Sequence, residues 1–278
     1  MLVVSACRGH ASDPTPTPTS TSTPTPTPTP TPTSTSTSTS TSTSTVLSPL
    51  PGFFEALPVA GHADAWISLP TGATSRRPVV VVIHGAGDRP DWQCGGWRHA
   101  TEGFPFIVCP RGKIAPGEGV TPDDVRYTHP GGPALLAHID GALEALARRY
   151  PDYADTSRPI LAGFSLGSHG IFQLAARDPA RFPRVALVEG LTDGVDDGRA
   201  RAFAKGGGER ILFACGQRAC KVAAEGAARR LVARDGLDAR AVFAPVGHSF
   251  DVPLEDAVRG AMEWLTAGDQ RWVWGEHR

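Results

Sequence analysis

Three short segments of this chain hold groups that can act together on a carbonyl carbon. The first is Gly163-Phe164-Ser165-Leu166-Gly167. A serine hydroxyl is a poor nucleophile at neutral pH unless a base takes its proton. The flanking glycines permit the sharp strand-to-helix turn that would leave the Ser165 hydroxyl exposed. The second segment, Pro245-Val246-Gly247-His248-Ser249-Phe250, supplies His248 as the candidate base. The third, Ile83-His84-Gly85-Ala86-Gly87-Asp88, is the end of an apolar run that passes into a Gly-rich turn. Backbone N–H groups in such a turn can face the negative charge that develops on a carbonyl oxygen under attack. One donor is assigned to Ala86, with Gly87 as the neighbouring alternative, and one to Leu166, which follows the serine. The chemistry implied is acyl transfer through Ser165. The histidines His99, His129, His138, His169 and His277 have no comparable setting and read as surface or packing residues.

These segments can meet only if the elements before them end along one edge. From residue 60 the chain alternates short β-branched runs with longer helical patterns, the signature of parallel strands joined by crossover helices. Pro78 to Ile83 is a continuous apolar run, expected of a strand buried on both faces. Ala65 to Leu69 alternates and reads as an antiparallel edge strand. Further strands are expected at Phe106 to Cys109, Pro159 to Ala162, Val185 to Val188, Ile211 to Ala214 and Ala239 to Phe243. Apolar residues three and four apart predict helices over Pro133 to Arg149, Leu166 to Arg177, Lys221 to Arg234 and Leu254 to Leu265. Parallel strands bring the residues that follow them to the carboxyl edge of the sheet, which collects the turn at Ala86, Ser165 and His248. About twenty residues separate Glu189 from Ile211, too few for a large cap domain.

Over roughly residues 55 to 268 the chain resembles the α/β-hydrolase family. The resemblance is carried by His84-Gly85 after the third strand, Gly163-x-Ser165-x-Gly167 after the fifth and Gly247-His248-Ser249 after the eighth, in that order. It implies an α/β fold, a three-layer αβα sandwich with a mostly parallel eight-stranded sheet and no large cap. It also implies a serine hydrolase that cleaves esters, or less often amides, through an acyl-Ser165 without cofactor or metal. In most members an Asp follows the seventh strand, where this chain reads Cys215-Gly216-Gln217-Arg218-Ala219-Cys220-Lys221, with no carboxylate. Some lipase-like relatives carry the acid at the end of the sixth strand instead, which here is Glu189. Either Asp or Glu can hold the imidazole tautomer and stabilise the imidazolium. Glu189 is the expected acid, Asp193 the second candidate, and Asp251 reads as a helix cap before Pro253.

Composition bounds the setting. Lys and Arg number 27 against 28 Asp and Glu, and no basic run exceeds Arg-Arg, which argues against nucleic acid as the partner. Residues 14–45 contain only Pro, Thr and Ser and cannot bury a core; they read as a disordered, extended linker, counted to residue 50. Residues 1–13 hold Val4-Ser5-Ala6-Cys7, which resembles a lipoprotein cleavage site with too short a leader, so that either the resemblance is accidental or, as expected, the start is internal to a longer reading frame. Cys7 would then be lipidated and residues 51–278, a monomeric catalytic domain, displayed outside the cytoplasm on a stalk. Cys94, Cys109, Cys215 and Cys220 allow three pairings, of which the local one, 94 with 109 and 215 with 220, is expected. No Cys-x-x-Cys or clustered His spacing favours zinc. Trp92 and Trp97, with Tyr127 and His129 in the loop from Gly112 to Pro133, either line an open cleft for an aromatic, small or polymeric ester or are ordinary surface packing. A second reading, a non-catalytic binding module on a surface stalk, would follow if no acid serves His248.

Overall fold

Among the described residues the alternating runs fold as ten strands and six α-helices. The strands are β1 (Glu55–Leu57), β2 (Ala65–Ser68), β3 (Arg77–Ile83), β4 (Phe106–Pro110), β5 (Lys113–Ile114), β6 (Tyr127–Thr128), β7 (Ala154–Phe164), β8 (Arg184–Val188), β9 (Arg210–Cys215) and β10 (Asp238–Phe243). The helices are α1 (Pro90–Ala100), α2 (Gly132–Arg149), α3 (Leu166–Ala175), α4 (Asp197–Lys205), α5 (Arg218–Arg230) and α6 (Val252–Thr266). The structure is a computed structural model that describes residues 45–48, 52–117, 121, 124–190, 195 and 197–274. All belong to one compact unit, Thr43–Arg278. Cys7 and Asp193 lie outside the described residues.

Eight strands form one sheet in the order β1-β2-β4-β3-β7-β8-β9-β10, and β5 pairs only with β6. The β1–β2 and β2–β4 pairings are antiparallel; the rest of the large sheet is parallel. The chain steps from β3 outward to β4 and then crosses back to β7 on the other side of β3. The carboxyl ends of β3 and β7 therefore flank the point where strand order reverses, the place where open α/β sheets leave a crevice.

Strand β3 shows why the sheet lies in the middle of three layers. All seven of its residues are buried. Val79, Val81 and Ile83 face one core, which they share with Leu135 and Ile139 of α2, Ile171 and Phe172 of α3 and Ala224 of α5. Val80 and Val82 face the other, with Cys94 and Trp97 of α1 and Leu254, Val258 and Met262 of α6. Burying each such side chain stabilises the fold by about 1.5–3 kcal/mol relative to exposure.

The structure extends several expected elements. β7 begins at Ala154, five residues before Pro159, because Arg77 and Pro78 of β3 continue to pair with it. The helix expected over Lys221 to Arg234 starts at Arg218 and ends in a π turn, Leu231–Asp235, closed by Gly236 at φ 66°. Cys220 consequently lies in the first turn of α5 rather than in a loop. Between β8 and β9 the described residues hold only the short helix α4. Ahead of β1, Leu47 N–H donates to Ala73 O and the Tyr153 hydroxyl to Thr45 O, so residues 45–48 are tied to the fold. No helix among the described residues is long and apolar enough to cross a membrane.

Candidate active site

Ser165 sits between the last residue of β7 and the first of α3. Its backbone is held at φ 49° and ψ −115°, a conformation that costs a non-glycine residue on the order of 1–3 kcal/mol. The neighbouring glycines are dictated by crowding. A Cβ on Gly167 would lie 2.1 Å from Ile83 O, and one on Gly163 would lie 2.6 Å from Gly167 C. Only glycine lets α3 start this close to the end of β3, and that approach pushes the Ser165 side chain outward.

His248 follows β10 and returns to the same edge. Its Nε2 is 3.1 Å from Ser165 Oγ and its Nδ1 is 3.0 Å from Glu189 Oε2. An ionised carboxylate only accepts, so the proton of a neutral imidazole belongs on Nδ1, leaving Nε2 to accept from the serine hydroxyl. Glu189 directly follows β8 with φ 50° and its side chain is 1% exposed. Its second oxygen, Oε1, accepts from the N–H groups of Gly216 and Gln217, the latter at 2.9 Å, at the N-terminal end of α5. Backbone donors and a helix N-terminus both favour a carboxylate there.

The segment after β9, which carries no carboxylate of its own, thus supplies the clasp that holds one from β8. Cys215 and Cys220 form a disulfide across this segment, with Cα atoms 5.5 Å apart. Gly216 is again required by close approach, since a Cβ would stand 2.1 Å from Gly247 O, and Gly247 N–H donates to Gly216 O at 3.2 Å. The acid clasp and the histidine loop are therefore directly bonded. The other disulfide joins Cys94 to Cys109, so both pairings expected from the sequence are present. Glu189, Cys215 and Cys220 are the one close group of metal-ligand types among the described residues, but the sulfurs are bonded to each other and offer no thiolate.

The turn after β3 lies beside the serine. A Cβ on Gly85 would be 3.3 Å from Ser165 Cβ. Asp88 braces the turn: its side chain accepts from Gly85 N–H, Arg89 N–H and Gln93 Nε2. Leu166, as the first residue of α3, has an N–H outside the helical ladder. Ala86 N–H has no acceptor among the described residues.

Other sequence candidates fall elsewhere. Trp97 is fully buried against Phe250 and lines no cleft, whereas Trp92 is 52% exposed. Asp251 is the N-cap residue of α6 but makes no side-chain capping bond; its carbonyl instead accepts from Leu254 and Glu255. His138 is buried and bonded to Ala63 O, as a packing residue is. His99 pairs with Asp256. His129 lies with its ring centre 4.0 Å from that of His84, tilted by 44°, and burial, followed by the charges of His84 and His138, pushes its imidazole well below the usual histidine range. His84 Nε2 in turn reaches Arg111 O at 2.9 Å. The pairing of β5 with β6, which brings Tyr127 onto Asp88, had no signal in the sequence beyond a Gly/Pro-rich stretch.

The strand order, the elbow after the fifth strand of the sheet and the histidine after the eighth define the class: the chain has the α/β-hydrolase fold. Among solved structures it is similar to a ferulic acid esterase at a TM-score of 0.55 and 15% identity, over 77% of this chain and 96% of that one. It is similar to the substrate-bound fluorophosphonate-binding serine hydrolase F of Staphylococcus aureus (TM-score 0.52, 13% identity, 76% and 97% covered). The Bacillus cereus carboxylesterase aligns with a TM-score of 0.51 at 13% identity, over 77% of this chain and 96% of the other. No protein-family model and no curated protein matches the sequence.

Proposed function

We propose that this chain is a serine hydrolase acting on carboxylic esters through an acyl-serine intermediate. The observation that carries the reading is the unbroken row from Ser165 Oγ through His248 to Glu189, with contacts of 3.1 and 3.0 Å. In this mechanism His248 Nε2 takes the Ser165 proton as Oγ bonds to the ester carbonyl carbon. The oxyanion is held by the N–H groups of Ala86 and Leu166. His248 then gives its proton to the departing alcohol as the carbon–oxygen bond breaks. Water repeats the sequence on the acyl-Ser165, releasing the acid and the free serine. Glu189 keeps the Nδ1–H tautomer and offsets the imidazolium charge without itself taking the proton. The esterase names of structural neighbours agree with an ester substrate.

The two disulfides support an extracytoplasmic location, and we infer that residues 14–50 act as a stalk leading to a lipidated Cys7. The deciding experiment for the activity pairs fluorophosphonate labelling with hydrolysis of short p-nitrophenyl esters. Wild type labels and turns over, while Ser165→Ala does neither. A wild-type protein silent in both assays returns the chain to a binding module.

A further inference from the structure

Two guanidinium groups beside the proposed oxyanion turn take no part in the chemistry above. Arg111 and Arg126 are both half-buried and each lies over an aromatic face. Arg111 Cζ is 5.8 Å from the Tyr127 ring centre, and Arg126 Cζ is 4.4 Å from that of Trp92. Other shielded arginines meet oxygen: Arg89 pairs with Asp91, Arg181 with Asp140, Arg259 with Asp256, and Arg98 donates to Ser68 and Leu69 O. Among the described residues neither Arg111 nor Arg126 has a carboxylate or carbonyl partner.

Both are anchored to the turn itself. The carbonyl of Arg111 meets His84 Nε2, and Tyr127, next to Arg126, donates its N–H to Asp88 O at 2.9 Å. Gly85 in that turn abuts Ser165, and the three residues from Gly85 to Asp88 span on the order of 10 Å at most. The segments that carry the two cations thus meet the turn that abuts the serine, and the Tyr127 ring beneath Arg111 lies 6.4 Å from the ring of His84 in that turn. Trp92 keeps half its surface open under Arg126 rather than joining the core.

A cation drawn partly out of water is destabilised unless something replaces its hydration. An aromatic face replaces part of it and leaves the planar N–H donors free. Such a fork matches a carboxylate, which can accept two parallel hydrogen bonds. We propose that Arg111 and Arg126 form an anion subsite for a carboxylate borne by the ester substrate. The proposal rests on the serine-hydrolase reading and names its substrate class: esters with a free acid on the acyl or the alcohol side.

The test compares charged and neutral esters in wild type, Arg111→Gln, Arg126→Gln and the double variant. Mono-p-nitrophenyl adipate against p-nitrophenyl hexanoate probes the acyl side, and 4-acetoxybenzoate against phenyl acetate the alcohol side. In at least one arm the charged-to-neutral ratio of kcat/KM falls roughly 10- to 100-fold in the double variant, the size of one hydrogen bond to a charged group. The wild-type ratio also falls as salt rises from about 0.05 to 0.5 M. Arg126→Lys retains part of the preference, because it keeps the charge but loses the fork. The single variants give the same reading if the double one does not fold. Ratios unmoved in both arms, with Ser165 still labelled by fluorophosphonate, overturn the subsite and leave the hydrolase standing. Failure of wild type to label overturns both.

Discussion

Replacing Glu189 by Gln tests the proposed site at its most determined point. The side chain is 1% exposed and its two oxygens have different duties. Oε1 accepts from two backbone N–H groups, those of Gly216 and Gln217, while Oε2 accepts from His248 Nδ1. A glutamine can satisfy only one side with its oxygen. Two fixed donors outweigh one rotatable ring, so the amide oxygen takes the Oε1 position and the NH2 group faces His248. That group donates, so Nδ1 must lose its proton and accept, and the proton moves to Nε2. An Nε2–H cannot take the proton of Ser165. The imidazolium also loses its counter-charge. Imposing the wrong tautomer in a serine triad costs about 10⁴ in kcat, or about 5.4 kcal/mol of barrier at 1.36 kcal/mol per tenfold. Steady-state hydrolysis of p-nitrophenyl butyrate at pH 7–8 measures it, with circular dichroism to show the variant folded. A folded Glu189→Gln within about tenfold of wild type refutes the assignment of Glu189, whatever its distance from His248.

Further outcomes follow from the same structure. Ser165→Gly abolishes turnover yet raises the melting temperature by about 2–4 °C, because it releases roughly 1 kcal/mol of backbone strain at φ 49°; scanning calorimetry reads the shift, and no gain over Ser165→Ala contradicts the strain. Removing the Cys94–Cys109 disulfide, which closes 15 residues, lowers unfolding free energy by about 3 kcal/mol in urea titrations of the double alanine variant. Asp269 gives the fold an acid limit: burial raises its carboxyl, but hydrogen bonds and charge from Arg271, with Arg184 adding, outweigh this and hold it below its ordinary range. A depressed carboxylate contributes stability above its unfolded value near 3.9 and loses it as pH falls through the folded one. The urea midpoint therefore drops below about pH 4, and Asp269→Asn is less stable at pH 7 with a shallower acid decline.

Much of the architecture was legible because local pattern and tertiary role agree. Val79 to Ile83 is apolar at every position, and only a strand between two helix layers makes that sensible. The elbow was legible because crowding at Gly163 and Gly167 leaves a trace in residue type. Of the two tryptophans for which cleft and packing were both open, Trp97 packs in the core and Trp92 is exposed. On a helix, five residues turn about 140°, so Trp92 and Trp97 of α1 point to nearly opposite sides, one toward solvent and one into the core. Nothing in the surrounding letters showed which faced in. The subsite arginines were illegible for another reason. Arg111 and Arg126 are 15 residues apart in a Gly/Pro-rich stretch, and it takes the contact of Arg111 O with His84 and the pairing of Tyr127 with Asp88 to bring that stretch to the turn.

The sequence by itself determined seven of the eight strands of the large sheet, their order along the chain, and which residue types stand at their carboxyl ends, since burial on both faces and tight turns restrict composition at single positions. Tertiary structure alone decided which carboxylate meets His248. Glu189 and His248 are 59 residues apart, and their contact depends on β9 lying between β8 and β10 and on the Cys215–Cys220 segment turning two backbone N–H groups onto the acid. Hydrogen bonds of that kind are made by backbone atoms common to every residue, and so leave no letter in the sequence to be read.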